Sequence, residues 1–236
     1  MPVVVKQIPK SRITQLIESV PPEIYYHRRA SDISGVCALL DWYERRTSWV
    51  LVLERDQRSV DLFELSSQYG ALGEDAARVI LRQVLQTSLQ LAKNGVFHRD
   101  LKDENIMVNT RTLETKLIDF GCATTQHNAD YTELIGTPEF FPPEYYTIKC
   151  YGAQASTTWT IGILMYVLLV GDIPFDNQHQ IVSGKREKVS VVRNTSTDVY
   201  HLLLSTMKQA CQERHENSCP ECYQSIHRRD QHYTKS

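Results

Sequence analysis

Three polar side chains at a defined spacing could act together on a phosphate group. Asp100 and Asn105 lie five residues apart, and Asp119 follows Asn105 by fourteen residues. Carboxylate and amide oxygens are ligands that Mg²⁺ prefers, and a carboxylate such as that of Asp100 can accept a hydroxyl proton. These residues predict metal-assisted phosphoryl transfer, which depends on positioning and charge neutralisation more than on covalent chemistry.

The motifs that carry these residues match the signature of protein kinases. The first ends at Asn105 and reads His-Arg-Asp-Leu-Lys-Asp-Glu-Asn, and the second begins at Asp119 and reads Asp-Phe-Gly. Either could occur by chance, but their order, after a predicted helix and a predicted strand, is typical of a catalytic loop and a metal-binding segment. Asp100 would accept the substrate proton and Lys102 would stabilise the moving phosphoryl group. Asn105 and Asp119 would bind Mg²⁺.

The elements that must position these residues begin with a strand-rich region. A short β-branched run over 3–8 predicts a strand, and Ser19 precedes two prolines as the expected cap of a helix. Apolar runs over 36–42 and 49–54 flank a charged turn and predict two antiparallel strands.

Helices dominate the rest of the pattern. Helical spacing predicts a helix over 74–94, an apolar stretch predicts a buried helix over 158–170, and a further amphipathic helix is predicted over 198–208. Between the two motifs, a hairpin that ends in a strand at 117–118 would return Asp119 to face the catalytic loop.

Composition gives weaker information about partners and location. A formal net charge of −2 provides no bulk attraction to nucleic acid or to an anionic membrane. The N-terminal residues lack the pattern of a signal peptide, and no uncharged apolar run reaches the length of a membrane span. We therefore expect a cytoplasmic or nuclear protein, monomeric, without nucleic-acid or membrane partners.

Several segments between residues 36 and 175 resemble the Pim group of serine/threonine kinases. The resemblance is carried by Leu-Leu-Asp-Trp-Tyr-Glu-Arg from 39, Leu-Glu-Arg from 53, the two motifs above, Pro-Pro-Glu from 142 and Gly-Asp-Ile-Pro-Phe from 171. It implies an α+β, bilobal, protein-kinase-like fold that uses ATP and Mg²⁺. The expected divisions are a truncated β-rich N-lobe over 1–55, a mainly helical C-lobe over 56–208 and a divergent polar tail over 209–236.

The same resemblance implies the residues of an ATP site. Lys6 would contact the α- and β-phosphates and pair with Glu23 on the first helix. Without the downstream motifs, a surface lysine and a first-turn glutamate would be the preferred interpretation. Leu53 would lie beside the adenine pocket, and the hinge would begin at Glu54. Asp56 stands where Pim-like kinases have proline, which lacks an N–H, so Asp56 is expected to restore one donor to adenine.

Residues 131–144 resemble an activation segment, with Thr132, Thr137 and Glu144 as its marked residues. The arginine of the catalytic motif, Arg99, usually pairs with an anion on this segment. Phosphorylated Thr132 could supply that anion, or the acidic side chains of Asp130 and Glu133 could do so constitutively. A solvated, flexible loop is an equal alternative.

Acidic residues predict the substrate. If the resemblance holds, carboxylates would line the peptide groove and favour arginine or lysine before the target serine or threonine, because guanidinium groups pair well with carboxylates. The residues expected to do this are Asp61, Glu64, Glu104 and Asp172.

Three departures from the family pattern leave an alternative function, a catalytically weak or inactive pseudokinase that acts as an interaction scaffold. No glycine-rich G-x-G-x-x-G cluster precedes Lys6, so we expect an open phosphate site and an exposed first strand. Thr157 replaces an aspartate that braces the catalytic loop. The usual arginine partner of Glu144 is not evident, and Arg193 or Arg214 could substitute.

The tail contains a possible metal-binding pattern. Cys211, Cys219, Cys222, His227 and His232 are zinc ligands by type, but only four residues separate Cys222 from His227, whereas zinc fingers use about twelve. A disordered tail, or a non-native replacement of the last kinase helices, is the other interpretation.

Overall fold

The computed structural model describes residues 2–184, which begin with a small sheet and one helix. The strands are β1 (Val3–Pro9), β2 (Leu39–Glu44) and β3 (Ser48–Glu54), and helix α1 (Pro22–Arg29) lies between β1 and β2 in sequence. All pairings are antiparallel in the order β1-β3-β2. The predicted strand over 36–42 therefore begins later than expected, at Leu39, because Val36 instead forms a bridge with Leu117.

The small sheet is held against α1 by apolar packing. Ile24 of α1 and Leu51 of the central strand β3 are both fully buried and belong to one cluster with Trp49 and Leu53. Apolar burial of this kind stabilises a protein by roughly 25 cal/mol per Å². This packing orients α1 so that the side chain of Glu23 is directed towards β1.

The predicted cap of α1 is wrong. The helix begins at Pro22 after Pro21, with no side-chain hydrogen bond at the cap, whereas Ser19 has a φ of +67°. Ser19 lies in a tight turn closed by hydrogen bonds between Ile17 and Val20. Proline at the first helical position replaces the cap, since its fixed φ suits the helix and its missing N–H would have no partner in the helix.

The larger part of the described chain is helical. Two helices, α3 and α5, form its centre, and short strands and helices surround them. In chain order the elements are β4 (Ser59–Asp61), α2 (Leu62–Tyr69), α3 (Glu74–Lys93), β5 (Val96–Phe97), β6 (Ile106–Asn109), β7 (Thr115–Leu117), β8 (Thr124–Thr125), α4 (Pro143–Ile148), α5 (Ala153–Val170) and α6 (Gln178–Ser183).

The hairpin between the two motifs is confirmed. Strands β6 and β7 pair antiparallel with Ile106 opposite Leu117, and the N–H of Ile118 donates to the carbonyl of Asn105 at 2.9 Å. Because Asn105 ends the first motif and Ile118 precedes the second, this hairpin brings Asp119 back to the catalytic loop.

Helix α5 is the buried central helix that the sequence predicts, although it begins five residues earlier, at Ala153. It is long and apolar enough to cross a membrane, but 67% of it is buried inside the protein, as in the core helix of a folded domain. Ile163, Leu164 and Leu168 have no exposed surface. Helix α3 matches its predicted bounds within one residue.

Part of the sequence prediction lies outside the described residues. The predicted helix over 198–208, the domain boundary at 208 and the cysteine- and histidine-containing tail all follow Gly184. Within residues 2–184, no cluster of three or more His, Cys, Asp or Glu side chains has the arrangement of a metal site.

Candidate active site

A cavity of about 710 Å³ separates the small sheet from the helical part. Its size suits a small-molecule ligand. Strand β1 and helix α1 provide one wall through Val4, Lys6 and Glu23, and the end of β3 provides Leu53 and the residues after it. The residues that the sequence assigned to ATP thus face one cavity, except for Asn105, which is not among its lining residues.

Lys6 and Glu23 form the pair that the resemblance implies. The Lys6 Nζ atom lies 2.6 Å from Glu23 Oε1 and 2.9 Å from Asp119 Oδ1. One ammonium group therefore joins β1, α1 and the Asp-Phe-Gly segment. Antiparallel pairing of Lys6 with Leu51 fixes the height of this lysine along the sheet.

The two ends of the pair respond differently to burial. Burial lowers the pKa of Lys6, but the carboxylates of Glu23 and Asp119 more than offset it, so this pKa is raised. Burial raises the pKa of Glu23, the Lys6 ammonium offsets this only in part, and the negative charge of Asp119 raises the pKa further. Glu23 is therefore the more easily neutralised partner.

Asp100 is held through both carboxylate oxygens. The hydroxyl of Thr137 donates to Oδ1 at 2.6 Å, and the amide of Asn105 donates to Oδ2 at 3.0 Å and to the Asp100 carbonyl at 2.8 Å. Two hydrogen bonds to a carboxylate fix its plane, as a proton acceptor requires.

Asp119 adopts a strained backbone conformation. Its φ is +60°, which a residue with a side chain rarely adopts, and its Oδ1 accepts the N–H of Gly121 at 2.9 Å. Burial raises the pKa of Asp119, but Lys6 and the Gly121 N–H outweigh it and the pKa is lowered. Asp119 is thus maintained as a carboxylate.

The donor set fits Mg²⁺. Asp119 offers carboxylate oxygens, and Asn105 offers its amide oxygen because its Nδ2 is directed to Asp100. Magnesium retains several waters and commonly takes one or two protein oxygens together with substrate phosphates. The two residues would therefore hold such an ion through hard oxygen atoms.

Lys102 pairs with Glu104 two residues further on. Burial lowers the pKa of Lys102, but the hydrogen bond to Glu104 and the charge of Asp100 raise it overall. Lys102 is thus a cation close to the proposed proton acceptor. Glu104, one of the predicted substrate-binding acids, is therefore already engaged in an ion pair with this lysine.

The hinge has a feature that the sequence did not predict. The Asp56 carboxylate accepts the N–H of Arg58 at 3.0 Å, the Ser59 hydroxyl at 2.9 Å and the amide of Asn109. Asp56 thereby ties the turn after β3 to the end of β6. The hydrogen bond from Arg58 is the main cause of its lowered pKa.

Other cavity residues were also missed. The cavity is also lined by four residues that the sequence assigns to no site: Cys37, Met107, Asn109 and Lys116. Strand alternation could have indicated Met107 and Asn109. Because β6 buries Ile106 and Val108, it turns Met107 and Asn109 to the opposite face.

The activation segment contacts the catalytic loop through Glu133 and Thr137. At the first contact, Arg99 Nη1 lies 3.5 Å from Glu133 Oε2. The same arginine donates through Nε to the carbonyl of Cys122, directly after the Asp-Phe-Gly motif, at 2.6 Å. Thr132 is exposed. In this conformation the anion that pairs with Arg99 is therefore the carboxylate of Glu133, as in the acidic alternative.

Gly136 allows the second contact, that of Thr137 with Asp100. Its φ is +117°, and a Cβ atom at this position would lie 2.5 Å from the Arg99 carbonyl oxygen. Only glycine allows so close an approach. Glu144, the last marked residue of the segment, is buried in the first turn of α4, and its candidate partners Arg193 and Arg214 lie outside the described residues.

The predicted substrate-binding acids lie on neighbouring elements. Asp61 caps α2 by accepting the N–H of Glu64 at 2.7 Å, and α2 contacts the turn that contains Glu104. Asp172 follows α5 after Gly171, whose backbone approaches Ala71 just beyond α2. Asp61 is therefore partly occupied as a helix cap, whereas Glu64 is exposed.

Thr157 bonds within its own helix. Its hydroxyl donates to the Ala153 carbonyl at 2.8 Å, so it does not take over the bracing role of an aspartate. A separate cavity of about 260 Å³ is lined by Thr157 together with His98 and Arg99 of the catalytic loop.

Comparisons with known proteins agree with this site. The family model described as "Protein kinase domain" matches residues 1–226. The chain is 38% identical over 186 residues to "Serine/threonine-protein kinase prk-2" of Caenorhabditis elegans, covering 77% of this chain and 42% of that protein. It is 36% identical over 219 residues to "Serine/threonine-protein kinase pim-2" of Danio rerio, covering 87% and 70%.

A third relative shares a shorter region. The human "Death-associated protein kinase 2" is 37% identical over 145 residues, which cover 60% of this chain and 39% of that protein. Several of these kinases are thus considerably longer than the region that they share with this chain. The family match and the similarities to prk-2 and pim-2 show that the chain belongs to the protein kinase family and carries a Pim-like serine/threonine kinase domain.

Proposed function

We propose that this chain transfers the γ-phosphoryl group of ATP to serine and threonine hydroxyl groups in proteins that carry basic residues before the target. One observation carries the proposal: Asp100, fixed by Thr137 and Asn105, lies on the loop that β6 and β7 join to Asp119 and so to the Lys6–Glu23 pair. This continuous framework supports Asp100 as the proton acceptor and Lys6 as the cation that contacts phosphate in the proposal.

In the proposed reaction, the substrate hydroxyl oxygen attacks the γ-phosphorus of ATP. A new oxygen–phosphorus bond forms, the bond to the bridging oxygen of ADP breaks, and the hydroxyl proton passes to Asp100. Lys6 contacts the non-reacting phosphates, and Lys102 offsets negative charge on the transferred group. Asp119 and Asn105 would hold Mg²⁺, which would neutralise phosphate charge.

The choice of serine and threonine rests on two supports. Lys102, two residues after Asp100, follows the serine/threonine pattern of this loop, and the relatives prk-2 and pim-2 are both named serine/threonine-protein kinases. The scaffold alternative is not favoured, because it gives no reason for the Lys6–Glu23, Lys6–Asp119 and Asp100–Thr137 contacts to be present together.

One assay tests the transfer. The chain is incubated with radiolabelled ATP, Mg²⁺ and an arginine-rich peptide that contains serine, beside an Asp100→Asn variant and the same peptide with tyrosine. We expect labelling of the serine peptide that falls at least a hundredfold in the variant, since the proton acceptor is lost, with the tyrosine peptide unlabelled. Equal labelling by both proteins would contradict the proposal.

A second assay tests the basic preference. The exposed carboxylate of Glu64 is the clearest candidate, because Glu104 is shared with Lys102 and Asp61 caps α2. Glu64→Lys should raise KM for the arginine peptide about fivefold, as expected for an exposed charge pair, without changing KM for ATP. Glu44→Lys, on the separate strand β2, is the matched control. Equal effects of the two reversals would remove the assignment of Glu64.

A further inference from the structure

A buried tyrosine that belongs to none of the sequence motifs contacts the activation segment. Tyr151 lies in the loop between α4 and α5 and is only 3% exposed. It forms a cluster with three other buried residues, Phe97, Tyr131 and Ala153, apart from the main core. Phe97 directly precedes the catalytic motif, and Tyr131 begins the activation segment. The cluster therefore brings together the loop before α5, the catalytic loop and the activation segment.

The main chain of Tyr151 holds the start of the activation segment. The N–H of Tyr131 donates to the Tyr151 carbonyl at 2.8 Å, and the N–H of Tyr151 donates to the Tyr131 carbonyl at 3.0 Å. The two residues thus form an antiparallel bridge, and their rings stack with centroids 5.8 Å apart. These contacts use the main chain and the ring, so they do not need the phenol hydroxyl.

The hydroxyl of Tyr151 makes a further contact two residues along the segment. It donates to the main-chain carbonyl of Glu133 at 3.0 Å. Glu133 is the residue whose carboxylate lies 3.5 Å from Arg99 Nη1. A buried phenol therefore holds the main chain of Glu133, while the carboxylate of the same residue pairs with the catalytic loop.

The ion pair gains from this support because its two partners differ in exposure. The Arg99 side chain is 9% exposed and is fixed by donation from Nε to the Cys122 carbonyl, whereas the Glu133 side chain is 72% exposed. An exposed pair contributes little, since the side chains must give up conformational freedom to form it. A main chain that is already fixed beside Arg99 leaves less of Glu133 to be ordered and so favours the pair.

The protonation state of Tyr151 agrees with its role as a donor. Burial raises the pKa of the phenol, and the neighbouring Arg99 guanidinium lowers it only in part, so the pKa is raised overall. The hydroxyl therefore keeps its proton at neutral pH. It donates this proton to the carbonyl of Glu133, which can only accept.

We infer that Tyr151 is a positioning residue, whose hydroxyl holds the main chain of Glu133 so that the Glu133 carboxylate meets Arg99. The inference deepens the proposed function and rests on it for its kinetic consequence. Thr137, four residues after Glu133 on the same segment, donates to Asp100. Loss of the Tyr151 contact should therefore reach the proposed proton acceptor through the activation segment and lower kcat.

One substitution isolates the hydroxyl. Tyr151→Phe removes it and retains the ring and the main-chain bridge. Tyr145→Phe is the matched control, because the ring of Tyr145 meets that of Tyr151 edge-on at 5.8 Å but its hydroxyl takes no part in the contact with Glu133. Glu133→Gln and the double variant Tyr151→Phe/Glu133→Gln complete a double-mutant cycle. Thermal unfolding of each variant shows how much of it remains folded.

The kinetic readout is kcat with the serine peptide, measured beside KM for ATP. We expect Tyr151→Phe to lower kcat about threefold, as for the loss of one hydrogen bond that supports an exposed ion pair. KM for ATP should stay unchanged, because Tyr151 does not line the cavity assigned to ATP. Tyr145→Phe should leave kcat unchanged. In the Glu133→Gln background, Tyr151→Phe should cause no further loss, because the two residues act through one contact.

Amide hydrogen exchange, followed by NMR, gives a second readout that needs no activity. The amide of Tyr131 lies in the bridge to Tyr151 and exchanges when that bridge opens. We expect this amide to exchange about threefold faster in Tyr151→Phe, because one of the hydrogen bonds that hold the segment is lost. The amides of α3 and α5 should keep their rates, and Tyr145→Phe should exchange as the unaltered chain does.

A merely structural role predicts another pattern. Faster exchange throughout α3 and α5, together with a lower melting temperature, would show a general loss of folding and overturns the inference. An unaltered exchange rate at Tyr131 in Tyr151→Phe overturns it as well. In an active chain, so does an unchanged kcat in Tyr151→Phe, or a kcat loss in the double variant equal to the product of the two single losses. If the unaltered chain labels no peptide, the proposed function fails, while the exchange rates still decide whether the Tyr151 hydroxyl holds the activation segment.

Discussion

The hydroxyl of Thr137 donates a hydrogen bond of 2.6 Å to Asp100, although 37 residues separate them in the chain. The contact joins the activation segment directly to the proposed proton acceptor. It exists because Gly136 approaches the Arg99 carbonyl more closely than any other residue could. The orientation of Asp100 is therefore coupled to the conformation of the activation segment.

We expect Thr137→Ala to lower kcat by about tenfold or more, because a hydrogen bond to a charged group contributes about 1.5–3 kcal/mol. KM for ATP should change little, since Thr137 lies away from the Lys6–Glu23 pair. Thr137→Ser keeps the hydroxyl and should retain most of the activity. Steady-state kinetics on a serine peptide checks both, and equal losses in the two variants would show that the methyl group matters and the hydroxyl does not.

The sequence predicts the parts of this site that are local in the chain. The spacing of Asp100, Asn105 and Asp119 required only that a hairpin return the second motif to the first, and the pairing of β6 with β7 does so. Lys6 and Glu23 could be paired only through the family resemblance, because nothing in their spacing shows that α1 packs on β1. The antiparallel sheet and the burial of Ile24 supply that information.

Other features depend on contacts that no local pattern encodes. His27 belongs to no sequence motif, and only the structure shows its hydrogen bond to the Cys37 carbonyl and its stacking on Phe120. The sequence predicts that the N–H of Asp56 contacts adenine, because Asp56 stands where Pim-like kinases have proline. In the structure, its carboxylate makes hydrogen bonds that this comparison does not predict. Ser19 fitted the composition of a cap, but the turn from Ile17 to Val20 and the proline at the start of α1 override it.

The pair between Arg99 and Glu133 predicts an activation segment that does not require phosphate. Glu133→Gln should lower kcat two- to fivefold, a modest effect because the Glu133 carboxylate is 72% exposed and exposed pairs contribute about 1 kcal/mol or less. The loss should shrink at high salt, which screens such pairs. Thr132→Ala is the control and should leave kcat unchanged. Loss of activity on treatment with a phosphatase, or on Thr132→Ala, would contradict this prediction and favour phosphothreonine as the anion.

Glu23 should be necessary for activity without being necessary for folding. Its folded pKa is raised by burial, so the folded protein binds its proton more tightly than the unfolded chain does, and the carboxylate disfavours folding above that pKa. Glu23→Gln removes the buried charge while Asp119 still pairs with Lys6. We expect its melting temperature at pH 7.5 to equal or exceed that of the unaltered chain, and its kcat/KM for ATP to fall at least tenfold.

The pH dependence of this difference gives a check. As the pH falls through the raised pKa towards about pH 4.5, Glu23 becomes neutral in the unaltered chain, so the two melting temperatures should converge. Calorimetry at pH 7.5 and near pH 5 measures this. A melting temperature for Glu23→Gln that is lower at both values by a similar amount would mean that the ion pair stabilises the fold, against the prediction.

Asp56 separates two roles that one residue can have at the hinge. Asp56→Ala keeps the N–H expected to reach adenine but loses the carboxylate contacts with Arg58, Ser59 and Asn109. Asp56→Pro loses the N–H as well. We therefore expect KM for ATP to remain near that of the unaltered chain in the alanine variant and to rise about fivefold in the proline variant, which corresponds to one hydrogen bond of about 1 kcal/mol.

The comparison that matters is between the two variants, because both lack the carboxylate. Equal KM values would show that the Asp56 N–H makes no contact with the base, whereas a rise already present in Asp56→Ala would assign the effect to the turn that the carboxylate ties to β6.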